Sequence, residues 1–583
     1  MIKLAPIRRP AASVLSGLGM VALFPPFHAG DLVWFVLIPL LAALWTLGEK
    51  GRKRKALLLG YLCGLAFFFP SLTWLREVSD VGWIAVSVYL AVYPALWALF
   101  VATRGNPWLR PPAESASRWA VSLHSLRYAF ACATVWAGLE LARGWVITGF
   151  SWNTLGVAFH ETPVIAQAAD IFGATGLSIL PLFLQAVLLQ AGWRIAKSAK
   201  TGRLRAHFDF GITALLIAGV ASYGIYRIST VGRGEAVRLK ALLVQLNIPQ
   251  EAMRQTWTAT EVHQGYEEET LSALEKITED DQKRLGEAMN VGDQGQIQLK
   301  TPDWIVWPET ALTGLILRMD DGRWAMGMEN RITMDRVREA GDFTLVMGVN
   351  ETEGVESEFD PDSFMLKPEG KNWNSLAVIT PDEELETFRK HHLVIFGEYI
   401  PLVDQLPFLA RIYEQQSGVK YGGAFDVGEE LEPLLVKIQG QKVGVIPAVC
   451  FEDTVARLIR KFVRQGPQII VNVTNDGWFK NSQAAAQHFA NARFRAIELR
   501  RPMIRCANTG VSAAITPTGL TAHPDGGPAQ ELRDSAGNHL TRGSLLTEVN
   551  IPMNPPTSLY SIIGDWGVGM LALMGFGIVR RRK

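Results

Sequence analysis

The chain has 583 residues, of which 48% are hydrophobic and 19% are charged, whereas soluble proteins average roughly 25% charged residues. The formal net charge is +1, so bulk charge indicates neither a nucleic-acid partner nor an acidic substrate. Apolar runs dominate the two ends, and the part between them has the mixed composition of a soluble domain. We therefore expect an N-terminal membrane domain (1–228), a large extra-membrane domain (229–555) and a C-terminal membrane helix with a basic tail (556–583).

About eight apolar segments are candidate membrane spans, since a helix needs about 20 mostly apolar residues to cross a bilayer. They lie near residues 11–25, 31–48, 56–76, 82–102, 127–146, 165–193, 210–228 and 560–579. The first follows a basic start, as a signal peptide does, but a second span follows at once without a small-x-small cleavage site. We interpret residues 11–48 as a helical hairpin broken at Pro25–Pro26.

The basic residues between the spans predict the orientation of the chain, because cytoplasmic loops are enriched in Lys and Arg. Clusters follow the second span (Lys50, Arg52, Lys53, Arg54, Lys55), the fourth (Arg104, Arg110, Arg118, Arg127) and the sixth (Lys197, Lys200, Arg203, Arg205), and the chain ends in RRRK. All of these lie on one side if the N-terminus is cytoplasmic. Residues 229–559 then lie on the opposite side of the membrane.

The large domain alternates short apolar strands with amphipathic helices. Strands are predicted at 239–248, 303–309, 343–351, 373–381, 442–450, 467–475 and within 503–519, and helices at 260–279, 335–341, 453–466 and 484–501. The polar stretches 280–300 and 352–372 are interpreted as surface insertions. This alternation predicts an α/β fold with helices covering the sheets, in which chemistry collects at strand ends.

Three segments at or after predicted strand ends carry reactive side chains. Glu309 and Cys450 each end a strand, and Lys390 and Glu398 lie in FRKHHLVIFGEYIP. A thiol is a strong nucleophile as the thiolate, so it needs a base, and a carboxylate in an apolar pocket can serve as one. A lysine ammonium can stabilise the negative charge that develops on an attacked carbonyl. Together these groups predict an acyl-transfer site.

Each residue also has a purely structural interpretation. A cysteine that ends a strand is more often a core residue, Glu309 can be a surface acid, and RKHH is typical of a solvated basic turn. Adjacent histidines rarely reach one metal ion, so no metal site is expected. Two of the four cysteines lie in apolar spans, so a disulfide framework is not expected, and Cys450–Cys506 is the pairing that the large domain allows.

Taken together, the segments WPET, RKHHLVIFGE and VCFED resemble the Glu–Lys–Cys triad of the nitrilase superfamily, the carbon–nitrogen hydrolases. The similarity extends to TNDGWF (474–479), QHFANARFRAIELRRP (487–502) and NTGVSAAITPTG (508–519). Seven spans before such a domain and one after it resemble one branch of that superfamily, the bacterial apolipoprotein N-acyltransferases.

The resemblance implies a polytopic α-helical membrane scaffold of about eight spans with a nitrilase-like α/β (αββα) domain. It places the scaffold in the bacterial inner membrane and the catalytic domain in the periplasm. It implies transfer of an acyl chain from a phospholipid, with phosphatidylethanolamine as the expected donor. The acceptor is the N-terminal diacylglyceryl-cysteine of an apolipoprotein, and neither a cofactor nor a nucleic-acid partner is implied.

Carried onto this sequence, the resemblance makes Cys450 the nucleophile that holds the acyl chain as a thioester, Glu309 the general base and Lys390 the oxyanion-stabilising cation. Glu398 resembles a second glutamate that supports this triad. Three further residues match positions that serve activity or substrate handling, namely Trp257, Phe451 and Glu452. The sequence departs from the family pattern with Phe451 for the common tyrosine and LVIFGE for LVPFGE. Trp257 also lies farther from Gln250 than expected, and the region between Trp257 and Glu309 is long.

Apolar segments near the triad have two interpretations. PLVDQLPFLARIY (401–413), LTGLILRM (312–319) and Trp478–Phe479 either line an entry for acyl chains or pack onto the protein. Glu140 and Arg143 are ionisable residues within a span, and their spacing lets them pair on one helix face or contact a lipid headgroup.

Three other functions are alternatives to acyl transfer. A membrane-tethered amidase or nitrilase would use the same triad but end in attack by water. A phospholipase-like acyl hydrolase would release fatty acid. A transporter or binding scaffold is disfavoured, because the spans lack a clear set of charged residues at the membrane midplane.

Overall fold

The computed structural model describes residues 8–199, 208–250, 257–291, 299–356, 366–395, 397–400, 403, 405, 407–417 and 423–579. The chain forms two compact units. The helical unit consists of Met1–Val231, Ala486–Arg500 and Thr557–Lys583, and the sheet unit consists of Gly232–Ala485 and Arg501–Pro556. Residues 486–500, which lie within the predicted extra-membrane domain, therefore make most of their contacts with the helical unit.

The α-helices are α1 (Arg8–Val21), α2 (Ile38–Trp45), α3 (Arg52–Ser71), α4 (Asp80–Leu90), α5 (Val92–Ala102), α6 (Arg118–Arg143), α7 (Pro163–Ala166), α8 (Ala169–Leu177), α9 (Ile179–Ala199), α10 (Phe208–Thr230), α11 (Ala259–Val291), α12 (Met328–Arg338), α13 (Phe408–Ser417), α14 (Ala456–Ile459), α15 (Ala484–Leu499), α16 (Leu559–Ile563) and α17 (Trp566–Ile578). Two short 3-10 turns, Cys450–Thr454 and Asp476–Phe479, follow strands of the sheet unit.

Among the described residues, three helices are long and apolar enough to cross a membrane, namely Asp80–Leu109, Ile179–Ser198 and Phe208–Thr230. Two further apolar helices are shorter, Gly30–Trp45 and Trp566–Ile578. The segments predicted as spans near 11–25, 56–76 and 127–146 are helical as well, in α1, α3 and α6. The count of eight spans stays a prediction, and three of the basic residues used to orient them (Lys200, Arg203, Arg205), together with the terminal RRRK, lie outside the described residues.

Glu140 and Arg143 of α6 bind the loop that follows this helix. Glu140 Oε1 accepts a hydrogen bond from the backbone N–H of Leu155 at 2.8 Å, and Arg143 Nη2 donates to the carbonyl of Trp152 at 3.0 Å. The guanidinium of Arg143 also lies over the ring of Phe68, 5.4 Å from its centroid. Both residues therefore fix the loop geometry inside the helical unit.

The strands are β1 (Ala236–Gln245), β2 (Trp304–Val306), β3 (Leu315–Arg318), β4 (Trp324–Met326), β5 (Thr344–Glu356), β6 (Leu366–Ile379), β7 (Leu385–Arg389), β8 (Leu434–Ile438), β9 (Gln441–Val449), β10 (Gln468–Thr474), β11 (Met503–Ala507), β12 (Ala513–Ile515) and β13 (Gly543–Pro552). They form two sheets in the described part of the chain. The first has the order β13-β1-β2-β5-β3-β4, with β6 beside β5 and β7 beside β6, and the second has the order β12-β11-β10-β9-β8.

The two sheets pack face to face. The thiol of Cys506 on β11 lies 3.5 Å from the carbonyl of Val244 on β1 and 3.2 Å from that of Val306 on β2. Helices α11 and α12 cover the opposite face of the first sheet, where Tyr266 and Met334 join its apolar core. In the second sheet β9, β10 and β11 run parallel, so their carboxyl ends lie at one edge, as the α/β prediction requires.

The structure corrects three of the element predictions. The helix expected at 453–466 is broken, because the chain forms the 3-10 turn Cys450–Thr454 before the short α14. Helix α11 continues to Val291 through residues expected to be a surface insertion, and residues 292–298 lie outside the described chain. Most described residues of the second expected insertion, 352–372, extend the antiparallel pair of β5 and β6, while 357–365 are not described.

Candidate active site

The predicted reactive residues follow the ends of three strands of the sheet unit. Lys390 comes directly after β7, Cys450 directly after β9, and Glu309 three residues after β2. The loop that carries Glu309 packs tightly against β5, since a Cβ at Gly348 would lie 2.4 Å from the Cα of Glu309. A glycine at this position therefore allows the close backbone approach that fixes Glu309.

Lys390 and two carboxylates form one hydrogen-bonded cluster. Lys390 Nζ lies 2.8 Å from Glu398 Oε1 and 3.8 Å from Glu309 Oε1. Asn374 on β6 bridges the same two oxygens, because its Nδ2 donates to each of them at 2.8 Å. The second oxygen of Glu398 accepts from the backbone N–H of Val394 at 2.8 Å. Glu398 is thus the better-satisfied carboxylate, and Glu309 is held by weaker contacts.

Burial and charge separate the pKa values of these groups. Burial raises the pKa of Glu309 above its ordinary value, and the charge of Lys390 offsets this in part. The pKa of Glu398 is lowered, since its contacts with Lys390, Val394 and Asn374 outweigh burial. Burial alone would lower the pKa of Lys390, but Glu398 and Glu309 raise it. The lysine therefore stays cationic, Glu398 is its counterion, and Glu309 has the raised pKa that suits a general base.

Cys450 begins the 3-10 turn that follows β9, and its φ of 53° lies in the left-handed region that non-glycine residues rarely adopt. Its carbonyl accepts a hydrogen bond from Asn472 Nδ2 on β10 at 3.0 Å. Burial raises the pKa of the thiol, the carboxylate of Glu309 raises it further, and Lys390 opposes both. The charge of Glu309 acts directly on this thiol, so the resting pair is a thiol near the carboxylate that can take its proton.

Glu452 ties the cysteine turn to the lysine loop. Its Oε1 accepts from the backbone N–H groups of His391 and His392 at 2.8 and 2.9 Å, and its Oε2 accepts from that of Val449 at 2.9 Å. The side chain is fully buried, and burial raises its pKa to about 7. These contacts make Glu452 a positioning residue that holds Lys390 and Cys450 in one geometry.

Of the other predicted residues, Phe451 lies beside this cluster and Trp257 belongs to the domain core. The Phe451 ring stacks on His392 with centroids 5.9 Å apart. Trp257 packs against the apolar core of the first sheet, where it approaches Gly265 of α11. Among the apolar segments, Leu312 and Ile316 are core residues and Trp478 is exposed, while parts of 401–413 lie outside the described residues.

Two asparagines at the site were not predicted. Asn374 bridges the two carboxylates and Asn472 holds the carbonyl of Cys450. A buried amide must be hydrogen-bonded, so Asn472, which interrupts the apolar run 469–473, could have been identified by this signal. Asn374 lies among other polar residues of β6 and carries no such signal. Within the described part of the chain, no group of three His, Cys, Asp or Glu side chains is arranged to hold a metal ion, and the four cysteines are free.

The sheet unit holds a Glu–Lys–Cys cluster near strand ends of two face-packed sheets. This arrangement is the one expected for the carbon–nitrogen hydrolase domain that the sequence predicts. A family model for that class, "Carbon-nitrogen hydrolase", matches residues 265–531. This match confirms the predicted class of the α/β domain. A second model, "Apolipoprotein N-acyltransferase N-terminal domain", matches residues 16–187.

Curated relatives match most of the chain. An apolipoprotein N-acyltransferase of Geobacter metallireducens is 30% identical over 88% of this chain and 86% of its own length. Those of Haemophilus influenzae and Pasteurella multocida are each 27% identical, over 87% and 98% of this chain and 84% and 96% of their own lengths. The chain belongs to the apolipoprotein N-acyltransferase family, which confirms the resemblance inferred from the sequence.

Proposed function

We propose that this membrane protein is an acyltransferase that N-acylates the N-terminal diacylglyceryl-cysteine of apolipoproteins, using Cys450 as the nucleophile. The observation that carries the proposal is the cluster in which Lys390 contacts Glu398 and Glu309, and the charges of Lys390 and Glu309 act on the Cys450 thiol. The family membership supplies the acceptor and the lipid donor. Phosphatidylethanolamine is the donor we propose to test.

The first half-reaction forms a thioester. Glu309 takes the proton of the Cys450 thiol, and the thiolate attacks an ester carbonyl of the phospholipid. Negative charge develops on the carbonyl oxygen, where the ammonium of Lys390 stabilises it. The tetrahedral intermediate collapses, the carbon–oxygen bond breaks, and the protonated Glu309 returns its proton to the departing lysophospholipid.

The second half-reaction forms the amide. The α-amino group of the diacylated acceptor attacks the thioester carbonyl and gives a proton to Glu309. Collapse of the intermediate breaks the carbon–sulfur bond, and the thiolate recovers its proton from Glu309. Storing the chain as a thioester lets one lipid leave before the next arrives, provided that water is kept from the site.

Membrane attachment suits this chemistry, because moving an acyl chain into water costs about 0.8 kcal/mol per methylene. We propose a scaffold of about eight spans in the inner membrane, with the catalytic domain in the periplasm and folded as an αββα sandwich. The apolar helices of the helical unit support membrane attachment. The roles in activity or substrate handling that we propose for Trp257, Phe451 and Glu452 rest on the family resemblance, and the contribution of Glu452 is to hold the geometry of the site.

The test uses the full chain in detergent with phosphatidylethanolamine that carries an isotope-labelled acyl chain. Mass spectrometry should find the labelled chain on Cys450, and a diacylated lipopeptide with a free amine should then remove it as an amide. Cys450→Ala should form no adduct, and replacement of the buried Cys506 by alanine is the matched control that should keep it.

The competing function is a membrane-tethered amidase with the same cluster. Turnover of a small amide, without an adduct from intact phospholipid, would support it and overturn the proposal. Release of labelled fatty acid in the presence of the lipopeptide would instead indicate an acyl hydrolase.

A further inference from the structure

Arg505 lies beneath the cysteine turn in the core of the sheet unit. It sits in the middle of β11, next to Asn472 of β10 in the strand register. Its side chain is fully buried, and its Nη1 donates to the carbonyl of Val511 at 2.8 Å. No catalytic step described above uses this cation.

Two buried carboxylates face this guanidinium from two different turns. Arg505 Nε lies 3.4 Å from Oδ2 of Asp453, and Nη2 lies 3.2 Å from Oδ2 of Asp476. Asp453 belongs to the turn that starts with Cys450, and Asp476 starts the 3-10 turn after β10. Both carboxylates are at most 1% exposed. The guanidinium therefore links the nucleophile turn to a second turn and compensates charges that water does not screen.

The same groups act on the thiol. The charged residues that interact with Cys450 lie on four different segments, namely Glu309, Lys390, Asp476 and Arg505. Asp476 opposes formation of the thiolate, as Glu309 does. A cation held against Asp476 reduces that opposition, since opposite charges in a buried site screen each other's field.

We infer that Arg505 is a positioning residue that neutralises Asp453 and Asp476, and so both shapes the Cys450 turn and keeps its thiolate accessible. The inference deepens the proposed function, since it rests on Cys450 being the nucleophile. Arg505 acts through these two carboxylates and contacts no substrate in this role.

The experiment measures the alkylation rate of Cys450 against pH in the full chain in detergent, with iodoacetamide as probe and mass spectrometry of the Cys450 peptide as readout. Arg505→Gln should move the pH profile upward by about one unit, a roughly tenfold slower alkylation at neutral pH. Asp476→Asn should move it downward. The double variant, which removes one charge of each sign, should return close to the unsubstituted protein.

Arg505→Gln can fail to fold, and the other variants then still decide the question. Arg505→Lys keeps the charge, so it should keep the alkylation profile while acyl transfer slows through a lower kcat. If the role of Arg505 is purely structural, its variants should have lower thermal stability. All folded variants should then alkylate Cys450 with the pH profile of the unsubstituted protein. That result, or an Asp476→Asn profile that does not move downward, overturns the inference. Failure of the proposed function would differ, since the profiles would shift as expected while unsubstituted protein forms no acyl adduct.

Discussion

Both units bury charged side chains, but they satisfy these charges in different ways. In the helical unit, Arg500 donates from Nε and Nη2 to Asp170 Oδ2 at 3.0 and 2.7 Å. It also donates to the side-chain and backbone oxygens of Gln167 at 2.6 and 2.8 Å. Asp170 accepts in addition from Tyr223 and lies 3.1 Å from Arg227. Arg500 and Asp170 therefore each have several partners.

The active-site cluster of the sheet unit is less evenly satisfied. Glu309, Glu398 and Glu452 all act on the ammonium of Lys390, and the pKa values of Glu309 and Glu452 are raised. Burial of charge by itself therefore does not identify a reactive site. Several carboxylates around one cation beside a thiol do, because burial and the charge of Glu398 both raise the pKa of Glu309.

The largest expected effect follows from removing that shared cation. Lys390→Met should slow acylation of Cys450 by about 10³-fold, since the oxyanion loses its charged donor and the carboxylates lose their counterion. The measurement is the rate at which the labelled acyl adduct appears. Lys442→Met, at an exposed position of β9, is the control and should keep the rate. A Lys390→Met enzyme within tenfold of the unsubstituted protein would contradict the role proposed for this lysine.

In the helical unit, loss of the central cation should affect stability instead of chemistry. Arg500→Met leaves Asp170 with Arg227 and Tyr223 and should cost about 3 kcal/mol of unfolding free energy, as breaking buried ion pairs does. Thermal unfolding in detergent measures this loss. The folded fraction should alkylate Cys450 with the pH profile of the unsubstituted protein, and a shifted profile would show that the two clusters are not independent.

Glu452 should give the protein a specific dependence of stability on pH. Its pKa is about 7 in the folded protein against an ordinary 4.5, so the folded state holds the proton more tightly. The stabilisation of the folded state by this tighter proton binding is at most about 3 kcal/mol. It is fully present below pH 4.5 and is lost as the pH rises to about 7. Glu452→Gln should flatten that part of the curve of apparent Tm against pH. An identical slope in the variant would contradict the raised pKa.

Asn374 should have a smaller effect, since it orients the carboxylates without carrying charge. Asn374→Ala removes two hydrogen bonds to charged groups, and we expect acylation to slow by about 10- to 100-fold. Asn374→Asp adds a further carboxylate to the cluster and should be slower still. Adduct formation measures both variants, and an aspartate variant faster than the alanine variant would argue against the like-charge interpretation.

The smallest effect is expected at the surface. Arg336 on α12 pairs with Glu267 on α11 at 3.0 Å, and its side chain is 57% exposed. Arg336→Met should change the unfolding free energy by less than about 1 kcal/mol, because water screens such pairs. Thermal unfolding of Arg336→Met and Arg500→Met compares an exposed ion pair with a buried one. A similar loss of unfolding free energy in both variants would contradict the expected difference between them.

The sequence predicted much of the site because its signals are local. Glu309 and Cys450 follow predicted apolar strands, and strand ends of an α/β fold meet at one edge. Lys390 follows the polar strand β7 and was predicted from its motif. Asn374 and Arg505 were not predicted, since the carboxylates that they contact lie 24 to 65 residues away in the chain. A strand register between β10 and β11 decides what Arg505 faces, and no local pattern encodes that register.

By itself the sequence determined the apolar segments, the α/β alternation and the motifs that indicate the family, because hydrophobic periodicity and residue type are local properties. Tertiary structure alone decided that Cys450 adopts a left-handed backbone conformation and that the helix expected at 453–466 breaks. It also decided that residues 486–500 group with the helical unit. The physical reason is that these outcomes depend on hydrogen bonds between residues far apart in sequence, such as the Glu452 clamp on residues 391 and 392.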